Sequence, residues 1–122
     1  MILVDSYGWI EYFAEGPLCN KYEQYLTNLK DIITPVIVVY EVYKKIKRER
    51  DEKAALEVLA QLSKTNIITL SETLAVKAAD VSLKFKLPMA DAIVYATAII
   101  QNCEVVTSDP HFKELPNVIF IE

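Results

Sequence analysis

Short apolar runs alternate along this chain with longer stretches of helical periodicity. Ile2-Leu3-Val4 is apolar and stops at Asp5-Ser6, which reads as a buried strand ending in an acid. Tyr7 to Glu15 carries Trp9, Ile10, Tyr12 and Phe13 at helical spacing, and Gly16-Pro17 breaks it. Asn20 to Leu29 reads as a second helix, with Tyr22, Tyr25, Leu26 and Leu29 on one face. Ile32-Ile33 is a second short strand. Thr34-Pro35 then reads as a helix start, with Thr34 as N-cap and Pro35 at the first position, and the helix runs from about Val36 to Arg50. Asp51-Glu52 begin an amphipathic helix that ends near Leu62-Ser63. Asn66 to Leu70 predicts a third strand, and Ser71 caps a helix with Leu74, Ala78, Val81 and Phe85 inward. Leu87 to Ile100 is apolar on every side, with Pro88 in its first turn and Asp91 as its only charge, so it predicts a helix buried all round. Val105-Val106 and Val118 to Ile121 read as the last strands.

Strands alternating with helices predict an α/β fold, a mostly parallel central sheet flanked by helices. Residues 1–122 are expected to form one domain, with no repeat and no linker. Only two glycines argue against an all-β fold rich in tight hairpins. Apolar residues make up 52% and charged residues 25%, enough to fold and to build a core. No apolar run approaches the ~18 residues of a membrane span, so no membrane association is expected. Met1 to Asp5 lacks the basic start of a signal peptide, and Cys19 and Cys103 are too few for a disulfide framework or zinc site. A reducing cytoplasm fits both. The net charge of −4 opposes nonspecific binding to nucleic acid by overall charge, while leaving room for a local basic face.

Four acids stand out. Asp5 and Asp109 follow strands, where parallel sheets place their sites; Glu41 and Asp91 interrupt apolar helical stretches. Three of them admit an ordinary reading as well: Asp5 as a helix cap, Asp109 as an Asp-Pro turn residue, Asp91 as an acid at a helix start. Converging without a matching Lys or Arg, the four would repel one another and raise some of their pKa values. Mg²⁺ or Mn²⁺ resolves such repulsion, because both favour oxygen ligands, and a metal so held activates water for phosphodiester hydrolysis. Asp80 is set apart by Lys77 and Lys84 at i−3 and i+4, which predict a surface ion pair. A Ser/His/Asp triad is a poor competitor, since His111 is the only histidine. A phosphoaspartate hydrolase would want a second acid two residues after Asp5, where Tyr7 stands, and a phosphoacceptor signalling domain would want a lysine near Thr107-Ser108-Asp109.

Asp5-Ser6 after the first strand, Thr34-Pro35 with Glu41 in the next helix, Leu87-Pro88-Met89-Ala90-Asp91-Ala92-Ile93, and Thr107-Ser108-Asp109 followed by Phe112 resemble the PIN-domain family. The likeness spans essentially the whole chain and is strongest to the VapC toxins of toxin–antitoxin pairs. It implies a metal-dependent endoribonuclease in which Asp5, Glu41, Asp91 and Asp109 hold Mg²⁺ or Mn²⁺. It further implies that Thr107 and Ser6 orient carboxylates or water through their hydroxyls. An RNA substrate, a cognate antitoxin and a homodimer follow from the same likeness; the alternative is a non-catalytic RNA-binding scaffold. Some relatives carry another acid where this chain has His111, which speaks against a fifth acid here. Lys44, Lys45 and Arg48 fall on the helix face of Glu41, about 1.5 Å per residue along the axis, and His111 near the mouth; these four are the candidate RNA contacts.

Overall fold

The computed structural model describes all residues from Met1 to Glu122. Five parallel strands, β1 (Ile2–Val4), β2 (Ile32–Pro35), β3 (Asn66–Ile68), β4 (Glu104–Thr107) and β5 (Val118–Phe120), form one sheet in the order β3-β2-β1-β4-β5. Six α-helices connect them: α1 (Ser6–Phe13), α2 (Cys19–Glu23), α3 (Val36–Glu49), α4 (Glu52–Leu62), α5 (Glu72–Phe85) and α6 (Met89–Ile100). Leu3, Val4, Ile32, Ile33, Val105 and Val106 are all buried, as a parallel sheet covered on both faces requires. From β1 the chain winds outward one way through β2 and β3, then crosses back to β4 on the other side. The carboxyl ends of β1 and β4 therefore flank the point where strand order reverses, the place where such sheets open a crevice.

Residues Ala92 to Ala98 of α6 are all buried, which explains its run of apolar residues. Its ends are not: Met89, Ile99 and Ile100 are exposed, and Pro88 is the N-cap rather than a first-turn residue. The segment after α2 also departs from its periodicity. The helix ends at Glu23, and the Asn28 side chain accepts from the Lys30 amide and donates to Asp31, which starts a separate 3₁₀ turn at Leu29–Asp31. The helical path that Tyr22, Tyr25, Leu26 and Leu29 suggested is thus cut into two short pieces, and Asn28 caps the second.

Thr34 is not the cap of α3. It lies in β2 opposite Ile67, fully buried, with its hydroxyl 2.6 Å from that of Thr65. Pro35 occupies the cap position, without a side-chain bond. Asp51 and Ser71 do cap their helices, accepting from the Ala54 amide at 2.7 Å and the Leu74 amide at 3.1 Å. Asp80 is exposed but makes no ion pair; Lys84 lies instead over the Phe85 ring, 5.2 Å from its centroid.

Candidate active site

The crevice is built from the first residues past two neighbouring strands. The β1–β4 register pairs Val4 with Val106, so Asp5 and Thr107 meet at the next step. Thr107 Oγ1 donates to Asp5 Oδ2 at 2.6 Å, and the Asp109 amide donates to Thr107 Oγ1 at 2.9 Å. The other oxygen of Asp5 accepts from the Gly8 amide at 3.2 Å and so caps α1. The cap and the site are one side chain. Gly8 is required by close approach, since a Cβ there would lie 2.6 Å from both Tyr22 Cε1 and Val4 Cγ1. Tyr22 in turn donates from its hydroxyl to Ser108 Oγ at 2.7 Å, tying α2 to the turn that carries Asp109.

Asp109 is buried and caps the 3₁₀ turn Pro110–Phe112 by accepting from the His111 amide at 3.0 Å. Asp91 sits in the first turn of α6, where the helix dipole favours a carboxylate. The His111 ring bridges these two acids, with Nδ1 2.7 Å from Asp91 Oδ2 and 3.4 Å from Asp109 Oδ1. Potential ligand atoms of Asp91, Asp109 and His111 all lie within 4.8 Å of one another. Glu41, half-buried on α3, faces Ser6 across the α1–α3 contact.

The electrostatics describe one shared site. Burial pushes the Asp5 carboxyl up to about 7; the Thr107 and Gly8 hydrogen bonds oppose the rise, and Asp109 and Asp91 add to it. Asp91 is pushed up to about 6, first by burial and then by Asp109, against the pull of His111. Glu41 is raised by burial and by Asp109, and Ser6 opposes. Tyr7 feels all four acids: Asp109 first, with burial, Asp91, Asp5 and Glu41 following, raises its phenol. No lysine or arginine pairs with any of the four.

These residues suit a hard divalent cation. They present carboxylate oxygens, partly desolvated, with excess negative charge that only one imidazole offsets. The candidate basic residues divide. Lys45 lines a hollow beside the acids together with Ser6, Tyr7 and Ser108, and pairs with Glu49 at 3.0 Å. Lys44 turns onto Tyr40, its Nζ 5.4 Å from the ring centroid, and Arg48 is exposed without an ion pair. Two features escaped the sequence. Tyr7 could have been found from its place two residues past a strand-ending acid; the grip of His111 on Asp91 had no local signal, being a contact between distant segments.

The sequence matches the family described as PIN domain over residues 2–118. The chain belongs to the PIN domain family. Solved structures with the same fold include a toxin–antitoxin complex from Klebsiella pneumoniae, at 24% identity and a TM-score of 0.84, covering 98% of this chain and 96% of that one. VapC20 from Mycobacterium tuberculosis, described as a Sarcin-Ricin loop cleaving toxin, aligns over 100% of both chains at 15% identity and a TM-score of 0.82. VapBC2 from Rickettsia felis, solved with a fragment of promoter DNA, shares 21% identity over 98% of this chain and 97% of that one, with a TM-score of 0.77. At these identities the likeness establishes the common PIN fold. Comparison with curated proteins gives no match. No helix is long and apolar enough to cross a membrane.

Proposed function

We propose that this PIN domain is a Mg²⁺- or Mn²⁺-dependent endoribonuclease and the toxin of a toxin–antitoxin pair, acting in the cytoplasm. The reading is supported by Asp91 and Asp109, which share one cluster with His111, and by Asp5 and Glu41, which both feel the charge of Asp109, all beside the strand-order reversal and none paired with a lysine or arginine. Asp5, Glu41, Asp91 and Asp109 would hold the metal. When bound, the cation supplies Lewis-acid activation of water and charge neutralisation at the phosphodiester.

The chain's own residues fix the carboxylates for that work. Thr107 and the Gly8 amide hold the two oxygens of Asp5, and the Asp109 amide holds Thr107 in turn. Ser6 faces Glu41 and favours its charged form. His111 keeps Asp91 and Asp109 together and offers a positive ring edge at the mouth when protonated. Lys45 lines the hollow beside Ser6, Tyr7 and Ser108, and with Lys44 and Arg48 on the same helix it would meet the RNA backbone.

An antitoxin partner is supported by the toxin–antitoxin assemblies among the structures of like fold. A homodimer is supported by large exposed apolar residues on α5 and α6, among them Val76, Leu83 and Met89. The test is expression of the chain alone in a bacterial host. Growth should stop, Asp91→Asn should relieve the arrest at equal protein level, and co-expression of the protein from the adjoining reading frame should do likewise. Growth unaffected by the soluble, folded wild-type chain would remove the toxin role.

A further inference from the structure

His111 brings the one imidazole of the chain to the acid site. Its side chain is more than half exposed, yet its place is fixed from both sides. Pro110 opens the 3₁₀ turn that Asp109 caps, and Phe112 ends it, fully buried, with its ring centroid 6.2 Å from that of Tyr95. The His111 amide donates to Asp109 Oδ1 at 3.0 Å, so turn and acid form one unit. The ring meets polar groups only along its Nδ1 edge, and both are carboxylates: Asp91 Oδ2 at 2.7 Å and Asp109 Oδ1 at 3.4 Å. Nδ1 carries at most one hydrogen, and at these distances it serves Asp91 and leaves Asp109 short of a second donor. A cation bonds all three atoms at once.

The spacing suits that role. In an octahedral shell with bonds of about 2.1 Å, neighbouring ligand atoms stand about 3 Å apart. The two separations from Nδ1, 2.7 and 3.4 Å, lie on either side of that value. We infer that His111 is a ligand of the metal, bonding through Nδ1 beside Asp91 and Asp109, and that this nitrogen makes the site select Mn²⁺ over Mg²⁺. The bound ring is neutral, with its one hydrogen on Nε2 and the Nδ1 lone pair on the cation. Mg²⁺ holds to oxygen ligands and gives up water reluctantly, whereas Mn²⁺, a transition ion, takes carboxylates and accepts imidazole more readily. The inference rests on the metal-dependent reading above and narrows it to one of two cations.

The test has two arms, neither of which needs RNA. In the first, the wild-type chain, free of any affinity tag, is loaded with one equivalent of Mn²⁺ and read by electron spin-echo envelope modulation, which detects a nitrogen bonded to the ion. Because the chain holds a single histidine, an imidazole signal identifies His111. The signal should be present in wild type and absent from His111→Asp, which exchanges the nitrogen for an oxygen. In the second, Mn²⁺ and Mg²⁺ are titrated by calorimetry into both proteins. The ratio of Mn²⁺ to Mg²⁺ affinity should fall about ten-fold in His111→Asp, the low end of what losing even an outer partner of a metal ligand costs. Mg²⁺ itself should bind the variant at least as well as wild type.

Saturable Mn²⁺ binding that Asp5→Asn abolishes, with no nitrogen signal in wild type, overturns the inference and leaves the four-acid metal site standing. An affinity ratio unchanged in folded His111→Asp overturns it as well. A nitrogen signal and a shifted ratio in a protein that cuts no RNA keep the inference and remove the nuclease reading. No saturable Mn²⁺ binding to wild type overturns both the inference and the metal dependence on which it rests.

Discussion

At the scale of single residues, the decisive groups are carboxylates that the fold holds above their ordinary pKa. Asp5, pushed up to about 7, and Asp91, up to about 6, keep protons in the folded chain that the unfolded chain has already released. Between about pH 4 and about pH 7 the folded state therefore binds more protons, and raising the pH through this window destabilises the metal-free protein. At about 1.4 kcal/mol per pH unit, Asp5 alone accounts for a few kcal/mol of that loss. Thermal unfolding in chelator should show the melting temperature falling as pH rises from about 5 to about 8. Mn²⁺ must displace the same protons, so its affinity, followed by calorimetry, should rise through pH 6–7 and level off above. Thr107→Val removes the hydroxyl donated to Asp5 and should move that rise about one pH unit higher, while Thr107→Ser should restore it. Asp5→Asn keeps a competent N-cap but removes the buried charge. It should fold, melt higher than wild type in chelator at about pH 8, and gain nothing from Mn²⁺.

At the scale of elements, the site depends on how closely α1 and α2 pack over the end of β1. Gly8→Ala would drive a methyl into Tyr22 and Val4, and should destabilise the protein by about 1–3 kcal/mol in chemical denaturation. It should also weaken metal binding, because the Gly8 amide holds Asp5. The elements themselves were largely legible. Short apolar runs ending in polar residues marked β1 and β4, and fifty residues of amphipathic pattern did not conceal where α4 and α5 begin, since Asp51 and Ser71 carry their own caps. Failures arose where a tertiary contact outranked a local preference. Thr34 looks like a cap but bonds to Thr65 across the sheet, and the helix expected to run on to Leu29 stops at Glu23. The four acids could be singled out because each interrupts an apolar context. The Thr107–Asp5 bond joins residues 102 positions apart, and no local pattern encodes it.

At the scale of the whole molecule, strand order does the work. Reversing direction at β1 leaves one crevice with Asp5 and Asp109 on its floor, while α3 and α6 bring Glu41 and Asp91 to its walls. A cation bound only in the folded state should stabilise the entire domain: at about a hundred times its dissociation constant, Mn²⁺ should add about 2.7 kcal/mol, and this gain should vanish in Asp5→Asn. Cleavage of a mixed, structured RNA pool by the purified protein, freed of any antitoxin, is compared with Mg²⁺, with Mn²⁺ and with chelator. Asp91→Asn, checked for folding by circular dichroism, runs in parallel. Cutting that requires the metal and disappears in the folded variant is the expected result. Cutting that persists in chelator or in Asp91→Asn would contradict the claim that these carboxylates form a metal-dependent nuclease site.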